Sequence, residues 1–325
     1  MAIPIPVILD CDPGVDDAAG ILLACARPEL DVRAITTVGG NTSVVHTTRN
    51  ALDLLVFAGV DGIPVAQGAD RALMRPFHLG THIHGATGFG GVTLPDSGHT
   101  PLPLPAVDLI ARIVRESAEP VTLIPTGPLP NIALFLLLYP ELKPRIARIC
   151  LMGGGVYEGN ATPTAEANFR NDPEAARIVF ASGVPITMVG LNVTHRALFT
   201  TEHTAWLRGT GRKVATAFAE MLDFRMRVYG ENYGFAGAPL HDPIAVADVL
   251  RPGIVTTRAC PVTIETDGAS TAGCSVVDLT GVTERPPNAD VALDMLCDET
   301  LSTYPGYTHL DTFQHILLDA IASYP

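Results

Sequence analysis

A chain of 325 residues, 47% hydrophobic and only 17% charged, is long enough to bury a sizeable core and too apolar to be intrinsically disordered. Its 34 acidic against 21 basic residues leave a formal charge of -13, which argues against a nucleic-acid backbone or an anionic membrane surface as partner and favours small neutral or cationic ligands. No apolar run approaches the ~20 residues of a membrane helix, and no basic stretch precedes the first apolar run, so a cytoplasmic protein is expected. Cys11, Cys25, Cys150, Cys260, Cys274 and Cys297 show no C-x-x-C spacing, which predicts reduced thiols and neither a zinc ribbon nor a disulfide framework.

The first 190 residues alternate short β-branched runs with helical patterns, as βα units around a parallel sheet do. A strand over Ile5 to Leu9 feeds a turn and a helix from Asp17 to Ala26. Val32 to Val38 is strand-like, and Val44 to Ala58 carries Ala51, Leu54, Leu55 and Ala58 at helical spacing. After a strand over Ile63 to Ala66, the Gly-, Pro- and His-rich stretch from Gln67 to Pro105 predicts a long irregular excursion of the kind that is often functional. Val121 to Pro125, Ile149 to Met152 and Pro185 to Val189 read as strands, with helices over Asn131 to Tyr139 and Pro173 to Ala181. Helices over Glu202 to Gly209 and Lys213 to Tyr229 precede APLHDPIAVADVL, where a further helix starts after Asp and Pro. Pro261 to Glu265, Cys274 to Leu279 and Asp290 to Met295 predict a small antiparallel addition, closed by a helix from Leu310 to Ser323. The fold class is therefore α/β, a mostly parallel central sheet with flanking helices in an open, Rossmann-like arrangement, as one domain over residues 1–325. In such sheets ligands gather at the carboxyl ends of the strands.

The segment VILDCDPGVDDA, residues 7 to 18, places four aspartates within eight positions at the end of the first strand, and no Lys or Arg precedes Arg27. A turn at Asp12, Pro13 and Gly14 with Asp16 and Asp17 on the following helix start accounts for one or two of them. Four crowded carboxylates raise one another's pKa values unless a cation compensates, and hard divalent cations take oxygen ligands, so the cluster predicts a metal site. It is not an EF-hand, whose sixth-position Gly falls here on Val15. Three further segments carry polar chemistry. LHDPIAVA, residues 240 to 247, sets His241 and Asp242 at a helix start, by itself a common cap. GNATPTAEANFRNDPEAA, residues 159 to 176, offers Asn160, Glu166 and Asn168 as hydroxyl-binding groups, with Asp172 as an ordinary cap. VGGN, residues 38 to 41, uses two glycines to bend the chain after a strand and present the Asn41 amide.

DCDPGVDDA, VGGN, IPTGPLPN at 124 to 131, LMGGG at 151 to 155, the N-x-T-P-x-x-E-x-N-F pattern from Asn160, LHDP, and the stretches around 265 to 268 and 285 to 294 occur in one order along the chain. Together they resemble the inosine-uridine nucleoside hydrolase family, the calcium-dependent N-ribohydrolases, over essentially the whole length. The resemblance implies that Asp12 is a Ca2+ ligand and the general base, that Asp17, Asp242 and the Thr126 carbonyl complete the ligand set, and that Asp10 supports the cluster. It implies that Asp16 and Asn168 hold the ribose 2′- and 3′-hydroxyls with Asn41 nearby, that Asn160 and Glu166 take the 5′-hydroxyl, and that Met152 packs on the sugar. His241 would sit by the base and assist its departure. His84, in the loop THIHGATGFGG, and Tyr229 and Tyr233, at the end of a long helix, would meet the base. Arg225 stands where purine-accepting members carry an aromatic residue, which points to inosine/uridine-type or pyrimidine-tolerant specificity. Arg170 departs from the expected aromatic or aliphatic residue and is read as pointing to solvent. His46, His78, His99, His195, His203, His309 and His315 are read as having no functional role. Homo-oligomers, dimers or tetramers, are implied by the resemblance alone.

The chemistry agrees. Cleavage of an N-glycosidic bond develops positive charge on the sugar, which an acidic pocket stabilises. With no phosphate-binding loop and no basic cluster at these motifs, nothing offers to hold a phosphate. Two alternatives are a calcium-dependent nucleoside- or ribose-binding protein without turnover and a haloacid-dehalogenase-type phosphatase built on Asp10 and Asp12. The second lacks a suitably placed Lys, since the chain holds only Lys143 and Lys213.

Overall fold

The structure is a computed structural model and describes residues 3–296 and 312–325. From the N-terminus, β1 (Ile5–Cys11), α1 (Val15–Ala26), β2 (Leu30–Thr37), α2 (Val44–Ala58) and β3 (Val65–Gln67) form the first βα units. The excursion that follows holds only the single turn α3 (Thr81–His84) before α4 (Ala106–Glu116), β4 (Val121–Pro125), α5 (Pro130–Leu138) and β5 (Ile146–Met152). Then come α6 (Ala167–Asn171), α7 (Pro173–Phe180), β6 (Ile186–Val189), α8 (Leu191–Thr194) and β7 (Leu198–Phe199). The last part holds α9 (Thr201–Gly209), α10 (Lys213–Tyr233), β8 (Ala238–Pro239), α11 (Asp242–Leu250), β9 (Val255–Cys260), β10 (Val262–Ile264), β11 (Ser275–Val277), β12 (Ala289–Met295) and α12 (Thr312–Ala322).

Eight strands make one sheet in the order β3-β2-β1-β4-β5-β6-β12-β9, parallel throughout except for the last pair. The order reverses between β1 and β4, the switch point at which open α/β sheets leave a crevice. Successive β1 side chains alternate between two apolar layers. Val7, Leu9 and Cys11 pack under α1, α2, α10, α11 and α12, while Ile8 faces α4, α5 and α7. Both faces are covered, so the strands read as continuous apolar runs.

Several boundaries and placements differ from the sequence reading. Helix α4 has no counterpart in it, because Ala106–Glu116 follows a Pro-rich stretch that hides its apolar face. Asp290–Met295 does not join a separate antiparallel addition. It enters the main sheet as β12, parallel to β6, and carries β9 as an antiparallel edge, leaving β10 and β11 as the small ribbon. Of the oily run on α5, Leu137 and Leu138 are exposed, because the helix turns its last residues away from the core. Five cysteines are free thiols, and Cys297 and His309 lie outside the described residues, as do the first two residues of the expected C-terminal helix. Among the described residues, no helix is long and apolar enough to cross a membrane.

Candidate active site

The crevice at the switch point is a cavity of about 370 Å³, and every residue proposed for the site lines it except Asp10 and Asp17, which stand behind its floor. Near the end of β1, Asp10 lies beside Thr36 of β2 and Pro125 of β4, so the chain leaving β1 runs straight into the gap between its two neighbours. The Thr126 N–H closes on the Asp10 carbonyl at 2.9 Å, which fixes the β4 end against the aspartate loop.

Within that loop each carboxylate is held separately. Asp10 Oδ1 accepts from Thr36 Oγ1 at 2.6 Å and from Asn131 Nδ2 at 2.8 Å, while its Oδ2 is buried without a partner. Asp17 caps its own helix, accepting from the Gly14 N–H at 3.0 Å, and its Oδ1 takes the Thr126 hydroxyl at 2.9 Å. Asn41 ties the loop together: its N–H donates to Asp12 Oδ2 at 2.7 Å, and its Nδ2 donates to the Asp12 carbonyl and to Asp17 Oδ2. The neighbouring Gly40 has no left-handed φ; a Cβ there would collide with Asp12 Oδ2, so close approach of backbone to carboxylate is what requires glycine.

The electrostatics follow from this packing. Burial and then the charge of Asp17 push Asp12 well above the usual carboxylate range, against the pull of the Asn41 N–H. Burial and the charge of Asp16 raise Asp17 to about 6, and burial with the charges of Asp16, Asp17 and Asp12 raises Asp242 strongly. Burial raises Asp10 to about 7. Asp16 is the exception. Burial is the largest single influence and opposes its ionisation as well, yet the guanidinium of Arg225, together with the smaller contributions of His84, His241 and its own backbone N–H, outweighs it and holds the carboxyl below its ordinary value. Asp12, Asp17 and Asp242 form no ion pair among the described residues. Buried acids that repel one another suit a hard cation, and among the described residues the cluster of Asp16, Asp17 and Asp242 could hold a metal ion. The carboxylate oxygens that converge most closely, within 4.8 Å of one another, are those of Asp16, Asp17 and Asp242.

On one side of the floor, Asn168 Nδ2 donates to the Thr126 carbonyl at 2.7 Å and to the Met152 carbonyl at 3.2 Å, which leaves its Oδ1 to accept from a hydroxyl. Glu166 caps α6. Its two oxygens accept from the Asn168, Gly154 and Phe169 N–H groups, and burial still lifts its pKa to about 7. Asn160 Oδ1 accepts from Ala167 N, so its Nδ2 is the group left for a ligand.

On the other side, α10 presents Arg225 and Tyr229, and the start of α11 presents His241 and Asp242. His241 Nδ1 lies 2.7 Å from the Thr194 hydroxyl and Nε2 lies 2.9 Å from the Tyr229 hydroxyl. Burial, aided by Arg225, keeps the imidazole neutral by pushing its pKa well down. His84 is buried as well, lowered to about 3 by burial, and its Nδ1 sits without a hydrogen bond 4.0 Å from Asp16 Oδ1. Tyr233 is 43% exposed at the rim.

Four residues play a larger part than the sequence reading gave them. Arg170 lines the cavity instead of pointing away from it, and His78 contributes to its mouth. His195 packs its ring 5.5 Å from His241 and meets Glu158 at 3.0 Å. Arg225 is buried to 1% exposure and grips both oxygens of Asp16, at 3.2 and 2.7 Å. The signal for it was present: Phe218, Leu222, Arg225 and Tyr229 recur at helical spacing, and an arginine in an otherwise buried stripe needs a buried partner. Nothing local in the sequence marks Thr194 or His195.

An open α/β sheet whose switch point holds a floor of buried carboxylates flanked by amide side chains is the arrangement expected of a nucleoside hydrolase. Residues 7–301 match the model of the inosine-uridine preferring nucleoside hydrolases, and the chain belongs to that family, an enzyme that hydrolyses ribonucleosides. It is 48% identical to a pyrimidine-specific ribonucleoside hydrolase RihA of Citrobacter koseri over 292 residues, 90% of this chain and 94% of that one. The RihA of Photobacterium profundum is similar to the same degree, 48% over 291 residues, covering 89% of this chain and 94% of its own. Among solved structures, a purine-preferring ribonucleoside hydrolase from Gardnerella vaginalis superimposes with a TM-score of 0.89 at 33% identity, covering 98% of each chain. The family match sets the phosphatase alternative aside.

Proposed function

We propose that this enzyme hydrolyses the N-glycosidic bond of pyrimidine ribonucleosides, uridine and cytidine above inosine, with a calcium ion held by Asp12, Asp17, Asp242 and the Thr126 carbonyl. The observation that carries the reading is the trio of buried acids without ion-pair partners at the switch point, beside amides whose remaining polar atoms face the cavity. Held by these residues, a calcium ion would supply Lewis-acid chemistry, lowering the pKa of a water in the pocket. Asp12 accepts the proton of the attacking water as general base. Asp16 and Asn168 Oδ1 take the ribose 2′- and 3′-hydroxyls, Asn160 Nδ2 and Glu166 take the 5′-hydroxyl, and Met152 packs against the ring.

As the bond to the base breaks, positive charge grows on the sugar in an oxocarbenium-like transition state, and the acidic floor stabilises it. The departing base becomes negative and needs a proton. Both nitrogens of His241 face hydroxyls, so His241 serves the base through the Tyr229 hydroxyl, which lies between it and Arg225. Asn41 acts on the floor instead of on the sugar, since its amide is committed to Asp12 and Asp17.

The preference for pyrimidines rests on the 48% identity to enzymes described as pyrimidine-specific, against 33% to one described as purine-preferring. The reading takes residues 1–325 as one hydrolase domain that works in the cytoplasm as a homo-oligomer. Ribose release from uridine, cytidine and inosine, measured with chelator and again after calcium is added back, tests it. The expected result is a kcat/KM for the pyrimidine nucleosides about 10-fold or more above inosine, the scale on which a single pocket discriminates, with turnover lost in chelator and restored by calcium. Turnover that persists in chelator would overturn the calcium site, and binding of uridine without turnover would leave a binding protein.

A further inference from the structure

The carboxylates that converge most tightly, Asp16, Asp17 and Asp242, are not the set that the reading above assigns to the cation, which takes Asp12 in place of Asp16. By distance alone Asp16 would be drawn into a cation's coordination. What stands in the way is Arg225. Its Nη1 and Nη2 donate to the two oxygens of Asp16 at 3.2 and 2.7 Å, a bidentate pairing that only a planar guanidinium makes. The guanidinium is itself fixed. Nε donates to the Pro239 carbonyl at 2.8 Å, immediately before the segment that carries His241 and Asp242, and Nη2 also donates to the Tyr229 hydroxyl at 3.2 Å. Helix α10, the α11 start and the β1 loop are thereby pinned to one another through a single buried side chain.

We propose that Arg225 partitions the pocket's carboxylates, engaging Asp16 so that it stays with the sugar and leaving Asp12, Asp17 and Asp242 to the cation. Arg225 is thus a positioning residue that acts through Asp16, and the inference rests on the assignment of Asp16 to ribose in the proposed function. A dication seeks the largest number of oxygen ligands within reach, and an unengaged carboxylate inside a 4.8 Å trio would supply one more. A carboxylate captured in that way no longer accepts the ribose hydroxyls.

The test uses the full-length enzyme, wild type and Arg225→Met, stripped of metal and titrated with Ca2+ by calorimetry and with Tb3+ by luminescence. Tb3+ lifetimes in H2O and D2O count the waters left on the metal. In Arg225→Met the expected result is a lower count of coordinated waters, Ca2+ bound more tightly, and a KM for uridine raised about 10-fold or more, the cost of losing a charge-assisted pair of hydrogen bonds. An unchanged water count overturns the proposal, even if Ca2+ binds more tightly, because removing a nearby positive charge does that without moving Asp16. An unchanged KM overturns it as well.

Arg225→Lys keeps the charge but cannot occupy both oxygens, so it should shift the water count and KM in the same direction by less; behaviour like wild type in both would count against the bidentate role. If Arg225→Met folds only with metal present, Arg225→Lys alone decides. Failure of the underlying reading looks different: wild-type enzyme would then bind neither Ca2+ nor Tb3+ in the pocket, or would turn over uridine without calcium.

Discussion

On the floor of the pocket, Asp12, Asp17 and Asn41 are locked by backbone and side-chain hydrogen bonds that all originate within the β1 loop and its two neighbouring strands. On the wall formed by α3 and α10, His84 Nδ1 has no hydrogen-bond partner, Tyr233 is half-open, and Arg225 reaches across the chain to Asp16 over 209 residues. The floor thus has one arrangement, and in the proposed function it carries the part of the chemistry common to every ribonucleoside. The wall has spare polar atoms and a partly exposed ring, and in the proposed function it is where one base is told from another. Floor and wall should therefore fail differently: floor substitutions should lower turnover of all substrates together, and wall substitutions should change the ratio between them.

The largest effect is expected at Asp12. Asp12→Asn removes the proposed base but keeps the Asn41 contact, so kcat should fall by about 10²- to 10⁴-fold, the range for loss of a general base, and by the same factor for uridine and inosine. Circular dichroism and thermal unfolding should match wild type. A near-normal kcat would remove Asp12 from the mechanism, and a loss confined to one substrate would break the distinction between floor and wall.

A smaller effect is expected at Tyr229, which stands on the wall. Tyr229→Phe keeps the ring against Arg225 and removes the hydroxyl that lies between Arg225 and His241. Turnover should fall by about 10- to 100-fold through loss of hydrogen bonds to a charged group and of a proton path, with unequal factors for uridine and inosine. Ribosides whose leaving group departs as a stable anion should lose least. Equal losses across all three would move Tyr229 from the wall to the floor.

The same contrast explains what was legible in the sequence. The floor was readable because its residues are close in the chain or follow strands directly: DCDPGVDD ends β1, VGGN follows β2, and Thr126 follows β4. Strand periodicity supplies the sheet, and the parallel order supplies the crevice. The wall was readable only in part. Arg225 announced itself as a misplaced charge, but its partner lies on another element, and no local pattern couples residues 16 and 225. Thr194 ends the single turn α8 and His195 follows it directly, and their role is set by where α11 packs. The position of β12 in the main sheet was missed for a like reason, since a six- or seven-residue apolar run does not say which strand it pairs with.

The subtlest expectation concerns Glu166, which sharpens why the floor acids call for a cation and this one does not. Three backbone N–H groups satisfy its two oxygens, so its surroundings already supply positive dipoles; burial nevertheless raises it from 4.5 to about 7. A carboxyl whose pKa is higher folded than unfolded stabilises the fold below about 4.5, where both states hold the proton equally well, and loses that advantage as pH rises towards 7, because the unfolded chain ionises first. At about 1.4 kcal/mol per pH unit, the wild-type enzyme should lose about 3 kcal/mol through this group across that window. Glu166→Gln cannot ionise and loses one accepting oxygen, so it should start less stable at low pH and close most of the gap by pH 7. Denaturant unfolding of both proteins between these pH values, saturated with calcium so that the floor carboxylates cancel in the difference, measures it. A constant gap would mean that Glu166 holds its proton equally well folded and unfolded, the three N–H groups offsetting its burial, so that backbone dipoles alone do for this acid what a cation is proposed to do for the floor.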